Sequence, residues 1–589
     1  MGKTHIQFPE LWLIILTILI ILIIFMVERV VKRLLRRQPI LGNTSMDSSP
    51  SSATFLLPAS LPKWPKGQGF ATGTINLGEL EVAQINRFEF IWGSHLSHDK
   101  KKSVSFYKPL RIPEGFFSFG YYCQLNGKPL NGYVLVAKDA SHEHNLPALM
   151  MPVDYTLVWI SDDGMGTYDQ RGYFWLPQSP SGYKALGFIV TTKPDKPSSA
   201  EVRCVREDLV DDGEACGLLL EMVSKFNKIP FKVFKTRPCD RGMFGKGVSV
   251  GSFCCTSPWF LGEEMPVVCL KNKDPNRQGM PNLDQIHALI NHYGPTIYFH
   301  PKEIYFPSSV SWFFKNGALL FKEGQSIGEP IDPEGTNLPA GGENDKKCWI
   351  DFPADDRREV LKRGNLNSAE VYVHVKPALG STFTDLAMWY FSPFNGPATL
   401  KIGPTNFSLG RTGEHIGDWE HFTLRISNFT GELHCVYFSQ HSGGEWVSAC
   451  DLEFIDWNRT VVYASKHGHA CYPRPGTYLQ GSSSLGIGIR NDCARSKFFI
   501  DSSTKYRIVA AEYLGEEVIE PCWLQFMNQW GPKIVYNSKK ELDKVIKRLP
   551  LMIRRTTSNV VGKIPFELSG QEGPTGPKEK NNWFGDERW

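Results

Sequence analysis

Apolar and polar residues alternate with period two along most of this chain, and helical periodicity is rare. The clearest alternation lies in F-T-L-R-I, where Phe422, Leu424 and Ile426 fall on one face of a strand. Carried back through Gly413–His421, read G-E-H-I-G-D-W-E-H, it places Asp418 and Glu420 on the same, buried face. Two carboxylates two positions apart on a strand lie roughly 7 Å apart. Buried like charges need a cation, a basic side chain or protons to compensate them. Helical spacing appears at Leu283, Ile286, Leu289 and Ile290, stopped by Gly294-Pro295. It appears again in Ser538–Leu549, where Ser538 and Glu541 form a capping box. The pattern predicts a mainly β chain with a few helices.

A second apolar pattern opens the chain. Leu11–Val27 is an unbroken run of 17 residues without a charge, followed by Arg29, Lys32, Arg33, Arg36 and Arg37. The run is at the short end of a membrane span, and the basic flank places the bulk of the chain in the cytosol. Residues 1–37 are therefore expected to be a single-pass anchor, an N-terminal transmembrane helix with a basic flank. Residues 38–68 are rich in Ser and Pro and read as a flexible tether.

Residues 69–272 contain an internal repeat. Pro113-Glu-Gly115-Phe116-Phe-Ser-Phe119-Gly120-Tyr121 and Pro180-Ser-Gly182-Tyr183-Lys-Ala-Leu186-Gly187-Phe188 share one pattern, 67 residues apart. A degenerate third copy lies near Gly247–Gly251. Three sheet-forming repeats predict pseudo-threefold packing, as in a β-prism. Residues 273–556 return to short strands and are expected to form a second, β-sandwich domain. The polar, Gly/Pro-rich segment 557–589 reads as disordered.

Composition narrows the function. The 589 residues are 41% hydrophobic and 21% charged, as in a folded protein, and the net charge is +4. Outside residues 29–37 the chain is close to neutral, so nucleic acid is not an expected partner. The 13 cysteines are scattered without a C-x-x-C, which argues against a zinc ribbon and a secreted disulfide framework and fits reduced thiols.

The candidate chemistry lies in three successive segments. They are His415–His421, then Tyr437–Gly444 with His441, then V-V-Y-A-S-K-H-G-H with His467 and His469. Each histidine alone is more often a packing residue than a ligand. Together with the acidic pair they predict a divalent cation site for Ca, Mg or Mn or an acid/base centre. The competing expectation is a structural network closed by Arg411 or Arg425.

The order W-Y-F (389–391), H-x-x-D-W-E, S-x-H-S-G and V-Y-x-x-x-H-x-H resembles the necrosis- and ethylene-inducing-like proteins. Those are actinoporin-like β-sandwich cytolysins that hold a divalent cation against sphingolipid headgroups. By that resemblance His415, Asp418 and Glu420 match ion ligands. Asn395 stands nearest to a further upstream ligand, and His441, His467 and His469 lie around them. The longer match is to the vacuolar protein sorting-associated protein 62 family, known in plants as a domain of unknown function. It shows in N-H-Y-G-P-T-I-Y-F-H-P-K-E-I-Y-F-P-S-S-V (291–310), G-E-H-I-G-D-W-E-H-F-T-L-R-I-S-N-F (413–429), Y-A-S-K-H-G-H-A-C-Y-P-R-P-G (463–476) and G-P-T-G-P-K (573–578). That resemblance implies trafficking to the vacuole and an endomembrane or vacuolar location.

Two functions stand. One is a membrane-anchored, non-enzymatic protein binding acidic phospholipid or sphingolipid headgroups, or a trafficking partner, with a cation in the second half. The other is a metal-dependent hydrolase in which His441 or His469 moves the proton.

Overall fold

Alternating sequence becomes sheet throughout the computed structural model of this chain. It describes residues 54–588 except 95–102, 142–145, 163–165, 167–169, 224–229, 257–266, 342–346, 442, 535–537 and 563–572. The apolar run Leu11–Val27 lies outside the described residues. Among the described residues no helix is long and apolar enough to cross a membrane. Residues 50–589 form one compact unit.

The first half of that unit is built on the repeat. Phe116 N–H donates to the Pro113 carbonyl and Tyr183 N–H to the Pro180 carbonyl, both at 3.1 Å. Gly115 and Gly182 take φ of 79° and 80°, so the two turns share one geometry that glycine permits. The glycines further along each copy meet at the centre. A Cβ on Gly120 would lie 2.9 Å from the Gly187 Cα, and one on Gly187 would lie 2.7 Å from Ser252. Ser252, just after Gly251, completes the third arm and donates to the Leu186 carbonyl at 2.7 Å. Around this centre Trp92, Phe106, Phe174, Phe188, Phe231 and Phe253 close an aromatic core. A second core of this half continues into Ala378, Phe383 and Phe429 of the other half.

The second half centres on a six-stranded sheet. Its order is Gly443–Ser448, Leu433–Gln440, His415–Ser427, Phe383–Asn395, Val371–Ala378 and Tyr506–Ala510. Every residue of the central strand His415–Ser427 except His415 is buried, so the sheet is covered on both faces. One face, bearing Phe422, Leu424 and Ile426, packs on the helix Leu283–Tyr293 and the strands Thr296–Phe299 and Arg459–Ala464. Against the other face lies a cluster of Trp389, Trp419, Trp523, Trp530 and Trp583. The predicted helix near Leu283 begins with a capping box of Asn282 and Gln285.

Two expectations about the flanks are corrected. The tether reading fails for residues 54–68. There the Phe55 N–H donates to the Leu130 carbonyl, and the Asn458 amide brackets the Ala59 backbone. Trp64 packs edge-on against Phe70 and His292, and its indole N–H donates to the Thr430 carbonyl. The C-terminal segment is not disordered over 573–588. Trp583 is 1% exposed and stacks on His374 at 4.0 Å, and Lys376 donates to the carbonyls of Asn582 and Gly585. Composition hid both cases, because one buried tryptophan can fix a segment that is otherwise polar.

Candidate functional site

The central strand and its neighbour Phe383–Asn395 set the site. Their antiparallel register pairs Glu420 with Tyr390, Asp418 with Ser392 and His415 with Asn395. Asp418 and Glu420 thus lie on the face that continues Phe422, as the alternation predicts, and are 7% and 9% exposed. Gly417, just before Asp418, has φ 72°, and a Cβ there would lie 2.2 Å from the Trp530 carbonyl oxygen. Only glycine fits that approach.

Arg425 is committed elsewhere. Arg425 forks onto Asp385 at 2.7 and 2.8 Å and also meets Asp586, while Arg411 reaches Glu414. The compensating group is His469. Its Nδ1 lies 2.8 Å from an Asp418 oxygen and its Nε2 2.7 Å from the Tyr305 carbonyl. Both ring nitrogens face acceptors, so the doubly protonated ring satisfies both. Burial opposes that charge, but Asp418, Glu303 and the Tyr305 carbonyl outweigh it and hold the ring pKa above the ordinary histidine value. Glu420 accepts from Ser439 Oγ at 3.3 Å.

The other predicted residues gather around this pair. His415 Nε2 lies 3.9 Å from the second Asp418 oxygen, and its pKa is lowered by burial against the pull of Asp418. Asn395 donates to the carbonyls of Gly413 and Gly396. His441 Nε2 meets the Asn491 amide oxygen at 3.1 Å. The His467 N–H donates to Glu303 at 2.6 Å, and the same carboxylate accepts from the Ile304 and Tyr305 N–H groups. His441, His467 and His469 all take positive φ, at 56°, 69° and 52°. A non-glycine residue held there costs on the order of 1 kcal/mol or more, and such residues cluster at functional sites.

These side chains line a cleft of about 650 Å³. Its other wall is the hairpin Gly476–Ser482/Ile487–Cys493, carrying Gln480, Arg490 and Asn491, and its rim includes Lys580, Asn582 and Glu587 of the C-terminal segment. Several buried polar atoms of lining residues have no partner in the protein: His415 Nδ1, Asn491 Nδ2, Gln480 Oε1 and the indole nitrogens of Trp389 and Trp419. Buried polar atoms are paired as a rule, so a group of orphans around one cavity marks room for a polar occupant.

The expected ion ligands do not form a coordination shell as they stand. Among the described residues no three His, Cys, Asp or Glu side chains are arranged to hold a metal ion. Asp418 spends one oxygen on His469, and Asn395 turns its amide to backbone carbonyls. The proton-moving role expected of His469 also meets an obstacle, since both ring nitrogens are committed.

Sequence reasoning missed four groups. Glu303 and Tyr305 sat inside a motif, E-I-Y-F-P, that showed no chemistry of its own. Asn491 belongs to a strand without a distinctive pattern. Glu587 accepts from His421 Nε2 at 2.9 Å and Thr423 Oγ1 at 2.6 Å. Burial opposes its charge, but His421, Lys376 and Thr423 hold the carboxyl down at about 2. The available signal was Trp583-Phe584, two aromatic residues in a tail otherwise read as polar.

A two-half, mainly β unit with a polar cleft beside its central strand thus defines the protein. The family is clear: the chain belongs to the vacuolar protein sorting-associated protein 62 family, whose profile matches residues 51–587. It is 23% identical over 286 residues to vacuolar protein sorting-associated protein 62 of Saccharomyces cerevisiae, covering 41% of this chain and 58% of that one. It is 20% identical over 314 residues to the TDA6 protein of the same yeast, covering 46% and 65%. The matched region spans less than two thirds of either yeast protein. Among solved structures it is similar to GNIP1Aa from Chromobacterium piscinae, at 15% identity and a TM-score of 0.25 over 36% of this chain and 40% of that one. It is similar also to NLPPya in complex with glucosamine, at 12% identity and a TM-score of 0.19 over 39% and 73%. Overlaps this slight say nothing further about this chain.

Proposed function

We propose that this protein is a non-enzymatic binding protein of the vacuolar sorting pathway that takes a lipid headgroup in the cleft beside Asp418. The observation that carries the reading is the group of unpartnered buried polar atoms around that cleft. They supply indole and amide donors as well as an amide acceptor, beside the carboxylates of Asp418 and Glu420, the Arg490–Asp492 ion pair and the cation Lys466. Such a mixture suits a headgroup bearing hydroxyl and phosphate groups of either acidic phospholipid or sphingolipid. In this reading Leu11–Val27 anchors the chain, the compact unit faces the cytosol, and the β-prism-like first half positions the sandwich-like second half. Family membership supports the vacuolar role.

A second reading adds a divalent cation, Ca, Mg or Mn. It is favoured by the second Asp418 oxygen and His415 Nε2 facing each other at 3.9 Å. His415, Asp418, Glu420 and Asn395 would hold the ion once His469 releases Asp418. The test is calorimetric titration of residues 50–589 with short-chain, monomeric phosphatidylserine, phosphatidylinositol and glycosylated sphingolipid, each with and without calcium. Saturable binding that is lost in His415→Leu supports the headgroup reading. A requirement for calcium, lost in Asp418→Ala, supports the cation. No binding to any probe overturns both.

A further inference from the structure

A second surface is independent of the cleft. Helices Ser538–Lys547 and Leu551–Val561 are joined at Pro550 and pack on the cleft hairpin. Their inner sides, through Leu542, Leu549, Val545, Val560 and Val561, cover Leu400, Ile402, Ile487 and Ile489. The stretch 538–561 holds seven basic residues and two acidic ones, a larger excess than the +4 of the whole chain. Lys547, Arg548 and Arg555 are exposed. Beside them, at the junction of the helices, Leu551 and Ile553 are 78% and 44% exposed.

We infer that this helical hairpin docks flat on an anionic lipid surface, with Leu551 and Ile553 entering the interface and the basic residues meeting the headgroups. Two observations select a bilayer. Within the compact unit 538–561 is a stretch of concentrated basic charge, which complements an acidic surface. Exposed aliphatic side chains stand in the same patch as the basic ones, the arrangement of an interfacial helix. An acidic protein face would meet the charge but would need an apolar recess in register to cover Leu551 and Ile553. Docking here sets the hairpin that carries Gln480, Arg490 and Asn491 next to the membrane.

The experiment is co-sedimentation of residues 50–589 with vesicles of phosphatidylcholine alone or with about one third phosphatidylserine. Omitting 1–49 keeps the apolar run from inserting. The expected result is binding to the anionic vesicles only, weakened by salt. Leu551→Asp with Ile553→Asp lowers it about tenfold, as does Lys547→Glu with Arg548→Glu and Arg555→Glu. His415→Leu leaves it unchanged, which separates this surface from the cleft. If the charge-reversed variant melts early, the corresponding glutamine variant decides. Equal binding to neutral vesicles, or wild-type binding by a folded variant with neutralised charges, overturns the inference. An acidic protein partner is then the remaining occupant.

Discussion

The centre of the first half and the cleft of the second are both crowded places built on glycine, and they differ in what the crowding leaves over. At the repeat centre, Gly120, Gly187 and Ser252 bring three backbones together, and Ser252 Oγ spends its proton on the Leu186 carbonyl. Around Gly417 the strands approach as closely, but indole, amide and imidazole groups stay unpartnered along a cavity. Three nearby histidines are held in left-handed conformations. The first arrangement is what packing alone requires. The second retains strain and unpaired polar groups, which natural proteins keep where function needs them.

The largest way to break this contrast is to unseat the C-terminal segment, which serves both regions. Asp586 meets Arg241 of the first half and Arg425 of the second. Trp583→Ala is expected to lose about 4 kcal/mol of stability in denaturant unfolding of residues 50–589, through a cavity between Trp389 and His374. Next is the repeat centre. Gly120→Val puts methyl groups where Gly187 already lies, and a loss of about 3 kcal/mol is expected by the same measurement.

Acid tests the seam between the halves. His434 sits against the rings of Tyr133 and Phe383, and burial, with Arg425 and Lys235 adding to it, pushes its pKa down to about 4. A histidine with a depressed folded pKa stabilises above its unfolded pKa. That stability is lost as pH falls from about 6.5 toward 4. The loss should approach about 3 kcal/mol at most and should shrink in His434→Phe. His469 has the opposite sign. Its raised pKa means that its pairing with Asp418 stabilises at low pH and is lost as pH rises through the folded value. Asp418→Asn should therefore flatten the alkaline side of the stability profile and leave the acid side to His434.

The smallest effect is the sharpest. His415→Leu removes the unpartnered buried Nδ1 together with the 3.9 Å approach of Nε2 to Asp418. Its stability should change by less than about 1 kcal/mol, in either direction.

Much of this was legible from alternation. The parity of Asp418, Glu420 and Phe422 followed from the strand period, and it survived because the register with Phe383–Asn395 pairs every residue from Asp418 to Ser427 in step. The repeat was legible in its turns, since Gly115 and Gly182 are needed at the same backbone angle. The group that neutralises Asp418 was not legible. His469 reaches it from 51 residues away by a loop that Glu303 holds, and long-range closure of this kind leaves no local pattern. The buried C-terminal segment was missed because polarity was averaged over it, whereas a few buried residues, Trp583 and Glu587 among them, help to fix it.

The most direct test of the cleft combines two readings on one variant. Wild-type residues 50–589 and His415→Leu are titrated with the short-chain headgroup panel and melted side by side. The account predicts saturable binding in the wild type, its loss in His415→Leu, and a melting temperature close to that of the wild type. A variant that melts early, or a wild type that binds none of the headgroups, would contradict it and make the cleft a structural network.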